Sequence, residues 1–403
     1  MSMPWQRTAE GANLLSTNGR LGVTIFEEIT TLATRTGALN LGQGFPDEDG
    51  PQEIKDRVKA AVDGGANQYA PGRGIPELRE AISSHQKRFY SLAVDPEQEV
   101  LVTTGATEAI AATILAFASA GDEVLTFEPF YDSYGAMIGL SGARHVTAPL
   151  NAPDFQVDLE TLEAAFSSRT RLVLLNNPHN PSGAVFSLEA LQKIVELATK
   201  YDALIVSDEV YEHLTFDAPH RPIATLPGAA ERTITISSAG KTFSFTGWKV
   251  GWATGPATLI AAVRTVKQFL TYSSGTPFQA AIAWGLGQND EFYQGIADSL
   301  RQKRDLLANG LREAGFTVHL PQGGYFINAD VAPLSLASAQ EADAALLARQ
   351  LPELIGVAAI PVSVFCHPEA AQRNRSLLRF AFCKKTEVLE EAARRLGTLK
   401  DVL

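Results

Sequence analysis

The feature that most constrains this chain is a set of six short apolar runs: Val100–Thr104, Glu123–Phe127, Arg171–Asn176, Ala203–Asp208, Thr233–Ser237 and Val250–Thr254. Each is rich in β-formers, and most lack the in–out alternation of a strand with one wet face. Strands apolar on both sides belong in a sheet covered on both faces, which favours parallel pairing with helical crossovers. Between two of the runs, Leu188, Leu191, Val195, Ala198 and Tyr201 recur at helical spacing and give one core-facing stripe. Residues 52–288 are therefore expected to form an α/β domain with a mostly parallel central sheet flanked by helices.

Beyond Asn289 the pattern changes. Helical segments (Glu291–Ala314, Glu341–Leu351) mix with short strands (Tyr325–Ala329, Leu377–Cys383), which predicts a smaller α+β domain made of residues 289–403 and completed by 1–51. The turn-rich stretch from Gly42 to Asp47 is the expected junction, and a cleft between domains is where a small-molecule site is expected. A chain of 403 residues accommodates two such domains.

The net charge of −11 is spread without long runs. Nucleic acid and anionic membranes need a concentrated basic face, so neither is expected as a partner. No window approaches the roughly twenty apolar residues of a bilayer span, and Met1–Ser16 does not read as a signal peptide. Cys366 and Cys383 lack metal-ligand spacing and read as buried thiols of a cytoplasmic protein. Glu209 and His213 stand four apart, but without third and fourth ligands they make no metal site.

The chemistry concentrates in Ser237–Trp252 (SSAGKTFSFTGWKVGW). Lys241 follows the end of a buried strand among small and hydroxyl residues, at the sheet edge where open α/β folds place ligands. A lysine whose pKa is lowered there is a nucleophilic amine; taken alone, the same residue is a solvated loop lysine. Gly105-Ala106-Thr107 separates a strand from an Ala/Ile-rich helix, and N–H groups at a helix start hold anions. Asp208 ends another buried strand, where a carboxylate is costly without a partner. Arg379 sits inside the apolar run Leu377–Phe382, and its fork suits a carboxylate.

These motifs, in this order, resemble the fold-type I aminotransferases of class I/II. The nearest branch contains kynurenine, glutamine and methionine aminotransferases and actinobacterial N-succinyldiaminopimelate aminotransferases. The resemblance runs from about Leu21 to Lys385. It implies a fold-type I transferase that carries pyridoxal 5′-phosphate on Lys241 as a Schiff base and exchanges an amino group between an amino acid and a 2-oxo acid such as 2-oxoglutarate, with ping-pong kinetics. It assigns the cofactor phosphate to Gly105, Ala106 and Thr107, completed by Ser238 and Lys249, where many relatives have arginine. It assigns the pyridine nitrogen to Asp208, the ring oxygen to Tyr211 and Asn180, and the ring face to Tyr131. Tyr69 would reach the phosphate of a neighbouring subunit, which implies a homodimer with shared sites. Arg379 would bind the substrate carboxylate, with Asn180, Gly44 and Phe26 nearby.

Substrate is the open question. Phe26, Phe45 and, from the neighbouring subunit, Tyr272 favour a bulky or apolar side chain, and Arg20 and Arg73 are candidates for a distal carboxylate. Leu41–Gly50 and Ser207–Leu214 most resemble the N-succinyldiaminopimelate aminotransferases, which implies N-succinyl-diaminopimelate as substrate and a place in lysine biosynthesis. The alternative is a kynurenine, methionine or glutamine aminotransferase with β-lyase activity on cysteine S-conjugates. A remoter alternative is an aminotransferase-like sensor domain of a transcription regulator, although no basic helix pair precedes the α/β core.

Overall fold

The computed structural model describes residues 3–15, 18–334 and 343–402. Its larger sheet has seven strands: β1 (Val100–Thr104), β2 (Glu123–Glu128), β3 (Arg144–Pro149), β4 (Thr170–Asn176), β5 (Leu204–Asp208), β6 (Thr233–Ser238) and β7 (Val250–Thr254). They lie in the order β1-β7-β6-β5-β4-β2-β3, parallel throughout except for β7, which runs against both neighbours. The missing alternation has a direct cause. Leu172 and Leu174 of β4 enter the apolar cluster on one face of the sheet, whereas Val173 and Leu175 enter the cluster on the other.

β3 was not expected from sequence. It is an edge strand, half-buried along most of its length, and opens on Arg144 and His145. The reversal of β7 has a consequence for the site. β4, β5 and β6 end at Asn176, Asp208 and Ser238, and Thr104, the last residue of β1, pairs with Val250, the first of β7. Lys249 therefore meets the ends of the other strands at one edge.

A second sheet is antiparallel: β8 (Thr317–His319), β9 (Phe326–Asp330), β10 (Ile360–Pro361) and β11 (Leu377–Ala381), in the order β10-β11-β9-β8. The helices Asp290–Glu313 and Thr386–Gly397 accompany it, as does a helix from Ala344 to Leu354 whose expected start at Glu341 lies outside the described residues. Its apolar core is shared with the turn after β5, through Val210, Tyr211 and Leu214. The N-terminal helix Pro4–Gly11 lies against the helix Asp132–Ser141, with Arg7 donating to the Gly139 carbonyl at 3.1 Å. No helix among the described residues is long and apolar enough to cross a membrane. Cys366 and Cys383 are buried free thiols.

Candidate active site

A cavity of about 350 Å³ opens at the edge where β4, β5 and β6 end. Its lining includes Phe26, Gly44, Gly105, Ala106, Thr107, Tyr131, Asn180, Asp208, Tyr211, Ser238, Lys241, Lys249 and Arg379. Tyr272, Arg20 and Arg73 do not line it; of the residues assigned to the cofactor and the substrate carboxylate, all do except Tyr69. That side chain is 84% exposed and packs edge-to-face on Tyr272 at 5.5 Å, away from its own chain's cavity.

Asp208 is buried, and burial pushes its carboxyl up to about 6 against the opposing effect of a hydrogen bond from Tyr134 to Oδ2. The backbone N–H of Val210 donates to Oδ1 at 3.4 Å. Lys241 follows β6 in the short helix Ala239–Thr242. Burial pulls its amine down to about 8, with Cys383 and Asp208 opposing the shift and Lys249 and Arg379 adding to it. The Lys241 Nζ donates to the Tyr325 hydroxyl at 2.6 Å, which in turn donates to the Gly44 carbonyl at 2.6 Å. A side chain at Gly44 would bring its Cβ within 2.4 Å of the Phe326 ring, so this close approach of the loop requires glycine.

At one end of the cavity, Gly105 opens the helix Gly105–Phe117 with φ of +74°. A Cβ built there would fall 3.1 Å from the Lys249 Nζ. First-turn N–H groups, the lysine ammonium and the Ser238 hydroxyl make a compact pocket for an anion.

Arg379 projects from β11 and is only 2% exposed. Its Nη1 donates to Asn180 Oδ1 at 3.1 Å and its Nη2 to the Gly42 carbonyl at 3.0 Å, whereas Nε has no partner among the described residues. The rings of Phe326, Phe365 and Phe26 lie 4.0, 4.6 and 5.5 Å from its Cζ. Burial lowers even this guanidinium, to about 10. Asn180 is held in turn: its N–H donates to Asn176 Oδ1 at 2.6 Å, and Asn176 Nδ2 donates to the Asp208 carbonyl at 2.9 Å.

Burial drives the Tyr131 phenol up to about 12 and that of Tyr211 higher still, so both stay neutral hydrogen-bonding groups. Sequence reasoning gave no role to Tyr134, Asn176, Asp132 or Tyr325. Asp132 and Tyr134 lie within one helical turn of Tyr131, and Asn176 ends one of the apolar runs. Tyr325 carries only the hint of a paired glycine before it.

Glu209 and His213 do not meet. Glu209 meets His220 at 2.8 Å, and the half-buried His213 joins the buried His85 and Glu212 in a cluster. The His85 and His213 Nε2 atoms are 2.6 Å apart. That is hydrogen-bond spacing, shorter than the roughly 3.3 Å that separates two imidazole nitrogens on one tetrahedral zinc.

The cavity thus presents an anion pocket, a buried amine, a buried carboxyl and a guanidinium to one space. Comparison with known proteins identifies the family. The family described as aminotransferase class I and II matches residues 36–396. A probable N-succinyldiaminopimelate aminotransferase of Mycobacterium tuberculosis is 50% identical over 388 residues, 94% of this chain and 96% of that protein. A solved structure of the M. tuberculosis N-succinyldiaminopimelate aminotransferase superposes with a TM-score of 0.90 at 51% identity, covering 94% of this chain and 97% of that one. A methionine aminotransferase of Escherichia coli is 42% identical, covering 94% of this chain and 97% of that protein. A kynurenine–oxoglutarate transaminase of Mus musculus is 40% identical, covering 91% and 86%.

Proposed function

This chain belongs to the class I and II aminotransferases, and from that premise we propose that it uses pyridoxal 5′-phosphate on Lys241 to move the amino group of N-succinyl-diaminopimelate to a 2-oxo acid. The observation that carries the reading is the convergence of Lys241, Asp208, Arg379 and the Gly105–Lys249 anion pocket on one cavity of about 350 Å³.

The residues fit the cofactor. Gly105 at φ +74° leaves its Cβ position empty beside the Lys249 ammonium, which makes room for a phosphate. Ala106, Thr107 and Ser238 would complete that cradle, Asp208 would hold the pyridine nitrogen, Tyr211 and Asn180 would take the ring oxygen, and Tyr131 would cover the ring. Lys249 stands where many relatives have arginine and would hold the phosphate as a point charge. When bound, the cofactor supplies the electron sink that lets an amino acid's α-C–H bond ionise.

The remaining work falls to the protein. Asp208 would keep a proton on the ring nitrogen, because a buried carboxylate without an ion pair favours a cation beside it. The Arg379 fork takes the substrate α-carboxylate, and the phenylalanines around it exclude water and strengthen that charge contact. Lys241, with its amine near 8, has a usable fraction of free base at neutral pH and serves as the proton carrier at the α-carbon. Donor and acceptor both need Arg379, so they bind in turn and not together.

The same reading makes residues 52–288 the cofactor-holding domain, with 1–51 and 289–403 as the smaller one. It places the enzyme in the cytoplasm as a homodimer in which the exposed Tyr69 reaches the phosphate site of the other subunit.

A methionine or kynurenine aminotransferase is the second reading, favoured by the aromatic surround of Arg379. Among the described residues, Arg379 is the arginine lining the cavity. Arg20 and Arg73 do not line it, and Arg73 donates to the Glu97 carbonyl. A distal succinyl carboxylate therefore needs groups from elsewhere, including the second subunit. Mixing holoenzyme in single turnovers with N-succinyl-diaminopimelate, glutamate, methionine and kynurenine decides the matter. Rapid bleaching of the cofactor absorbance by the first two alone supports the proposal, whereas rapid bleaching by methionine or kynurenine replaces it with the second reading.

A further inference from the structure

Tyr325 lies just before β9, after Gly323 and Gly324, and is 1% exposed. Its hydroxyl bridges two groups, accepting from Lys241 Nζ at 2.6 Å and donating to the Gly44 carbonyl at 2.6 Å. A phenol has one hydrogen and two acceptor positions. With the hydrogen committed to the carbonyl, the oxygen meets the lysine only as an acceptor. The lysine must therefore donate, and an ammonium does so more strongly than an amine.

The position is also directional. Lys241 borders both the cavity that contains Asp208 and a second cavity of about 310 Å³, whereas Tyr325 borders only the second, alongside Cys383 and Phe243. The amine has two places to be: toward the first cavity, or back against Tyr325. The Tyr325 ring is fixed edge-to-face on Tyr211 at 5.2 Å and on Phe326 at 4.9 Å, so the station does not move.

We propose that Tyr325 is a positioning residue that receives the Lys241 amine when it is neither bonded to the cofactor nor carrying a proton at the α-carbon, and holds it, tethered to Gly44, at the wall between the two cavities. This rests on the reading of Lys241 as the cofactor lysine. No proton changes owner in the parked state: Lys241 keeps its own, and Tyr325 keeps its hydrogen on the Gly44 carbonyl. The loop that anchors Tyr325 through Gly44 also anchors Arg379 through the Gly42 carbonyl. One segment thus fixes both the amine and the carboxylate fork relative to each other.

The charged and titratable groups facing the amine are Asp208, Tyr211, Cys383, Lys249 and Arg379, besides Tyr325 itself. Of these, Asp208 and Cys383 favour the ammonium, whereas burial, Lys249 and Arg379 disfavour it. The acceptor oxygen of Tyr325 acts with Asp208, and its removal should ease deprotonation.

The test is Tyr325→Phe, which keeps the ring. In cofactor-free protein, Lys241 is labelled with trinitrobenzenesulfonate across pH and quantified by peptide mass spectrometry. The labelling midpoint should fall by about one pH unit, the scale of one charge-assisted hydrogen bond. In the holoenzyme, kcat should drop about 10-fold with KM little changed, because Arg379 is untouched. A midpoint that stays or rises overturns the proposal. If Tyr325→Phe does not fold, 3-fluorotyrosine at 325 keeps both bonds with a weaker acceptor oxygen and must still lower the midpoint. Borohydride reduction of the wild-type holoenzyme separates the two claims. Cofactor trapped on another lysine sinks the functional reading, whereas cofactor on Lys241 with an unmoved midpoint sinks only the role of Tyr325.

Discussion

Replacing Asp208 with Asn should make the cofactor-free protein more stable while disabling the enzyme. Burial raises the Asp208 carboxyl from 3.8 to about 6. A folded-state pKa above the unfolded one means the folded chain holds this proton more tightly. The group's contribution is therefore most favourable below pH 3.8, declines as pH rises through 3.8 to 6, and is flat above. The shift of about 2 units corresponds to roughly 3 kcal/mol of cost at pH 8. Asn removes that cost but offers one acceptor oxygen to two donors, the Tyr134 hydroxyl and the Val210 N–H. The lost bond returns about 1 kcal/mol. The net expectation is a cofactor-free variant about 2 kcal/mol more stable than wild type at pH 8 and slightly less stable at pH 3.5, read from urea midpoints at the two pH values. The holoenzyme should behave oppositely. Stabilisation by added cofactor should shrink with its affinity, and turnover should fall by about 10²–10³-fold. A cofactor-free Asp208→Asn protein less stable than wild type at pH 8 would refute the reasoning, because the carboxylate would then be serving the fold.

Three further outcomes follow from the geometry. Arg379→Lys keeps the charge but loses the fork to Asn180 and Gly42, and should raise KM for both amino and 2-oxo acid about 100-fold in steady-state kinetics. Gly105→Ala places a Cβ 3.1 Å from the Lys249 Nζ at a φ of +74° and should weaken cofactor binding about 10-fold or more by equilibrium titration. Refolding Lys241→Ala and Tyr69→Ala subunits together should restore about a quarter of wild-type activity if Tyr69 serves the other subunit's site, since half the dimers carry one intact site; no recovery would place Tyr69 outside any shared site.

The central sheet was legible because its signal is local. Strands buried on both faces carry apolar side chains at every position, and the six runs match six observed strands to within one residue at each end. β3 escaped because an edge strand has fewer neighbours to satisfy and begins on Arg144 and His145. The reversal of β7 escaped because direction is a property of the connection and not of the strand. The site followed the same division. Asp208, Lys241 and the Gly105 turn stand at strand ends, where position along the chain already fixes position in the sheet. Tyr134 and Tyr325 act through tertiary approach: Tyr325 is 84 residues from Lys241, and no periodicity links them.

The ionisable groups themselves separate what holds this protein together from what it does. Glu123 is almost fully buried, yet Arg144 and Arg169 meet it at 2.6 Å each and Ser167 donates to it, so its carboxyl lies at about 2 despite the opposing effect of burial. Glu209 likewise has a hydrogen-bond partner in His220. Asp208, Lys241 and Arg379 are different. Among the described residues none of the three is in an ion pair, and burial moves each toward its neutral form, up for the acid and down for the two bases. Charges that only stabilised a fold would have been matched internally, as at Glu123. Three unmatched charges at one cavity are a standing cost that ligands of complementary charge would offset on binding; on the reading proposed above, these are a cationic ring nitrogen for Asp208 and a carboxylate for Arg379. The loss is smallest when both are present, which ties the stability of the loaded enzyme to the chemistry it performs.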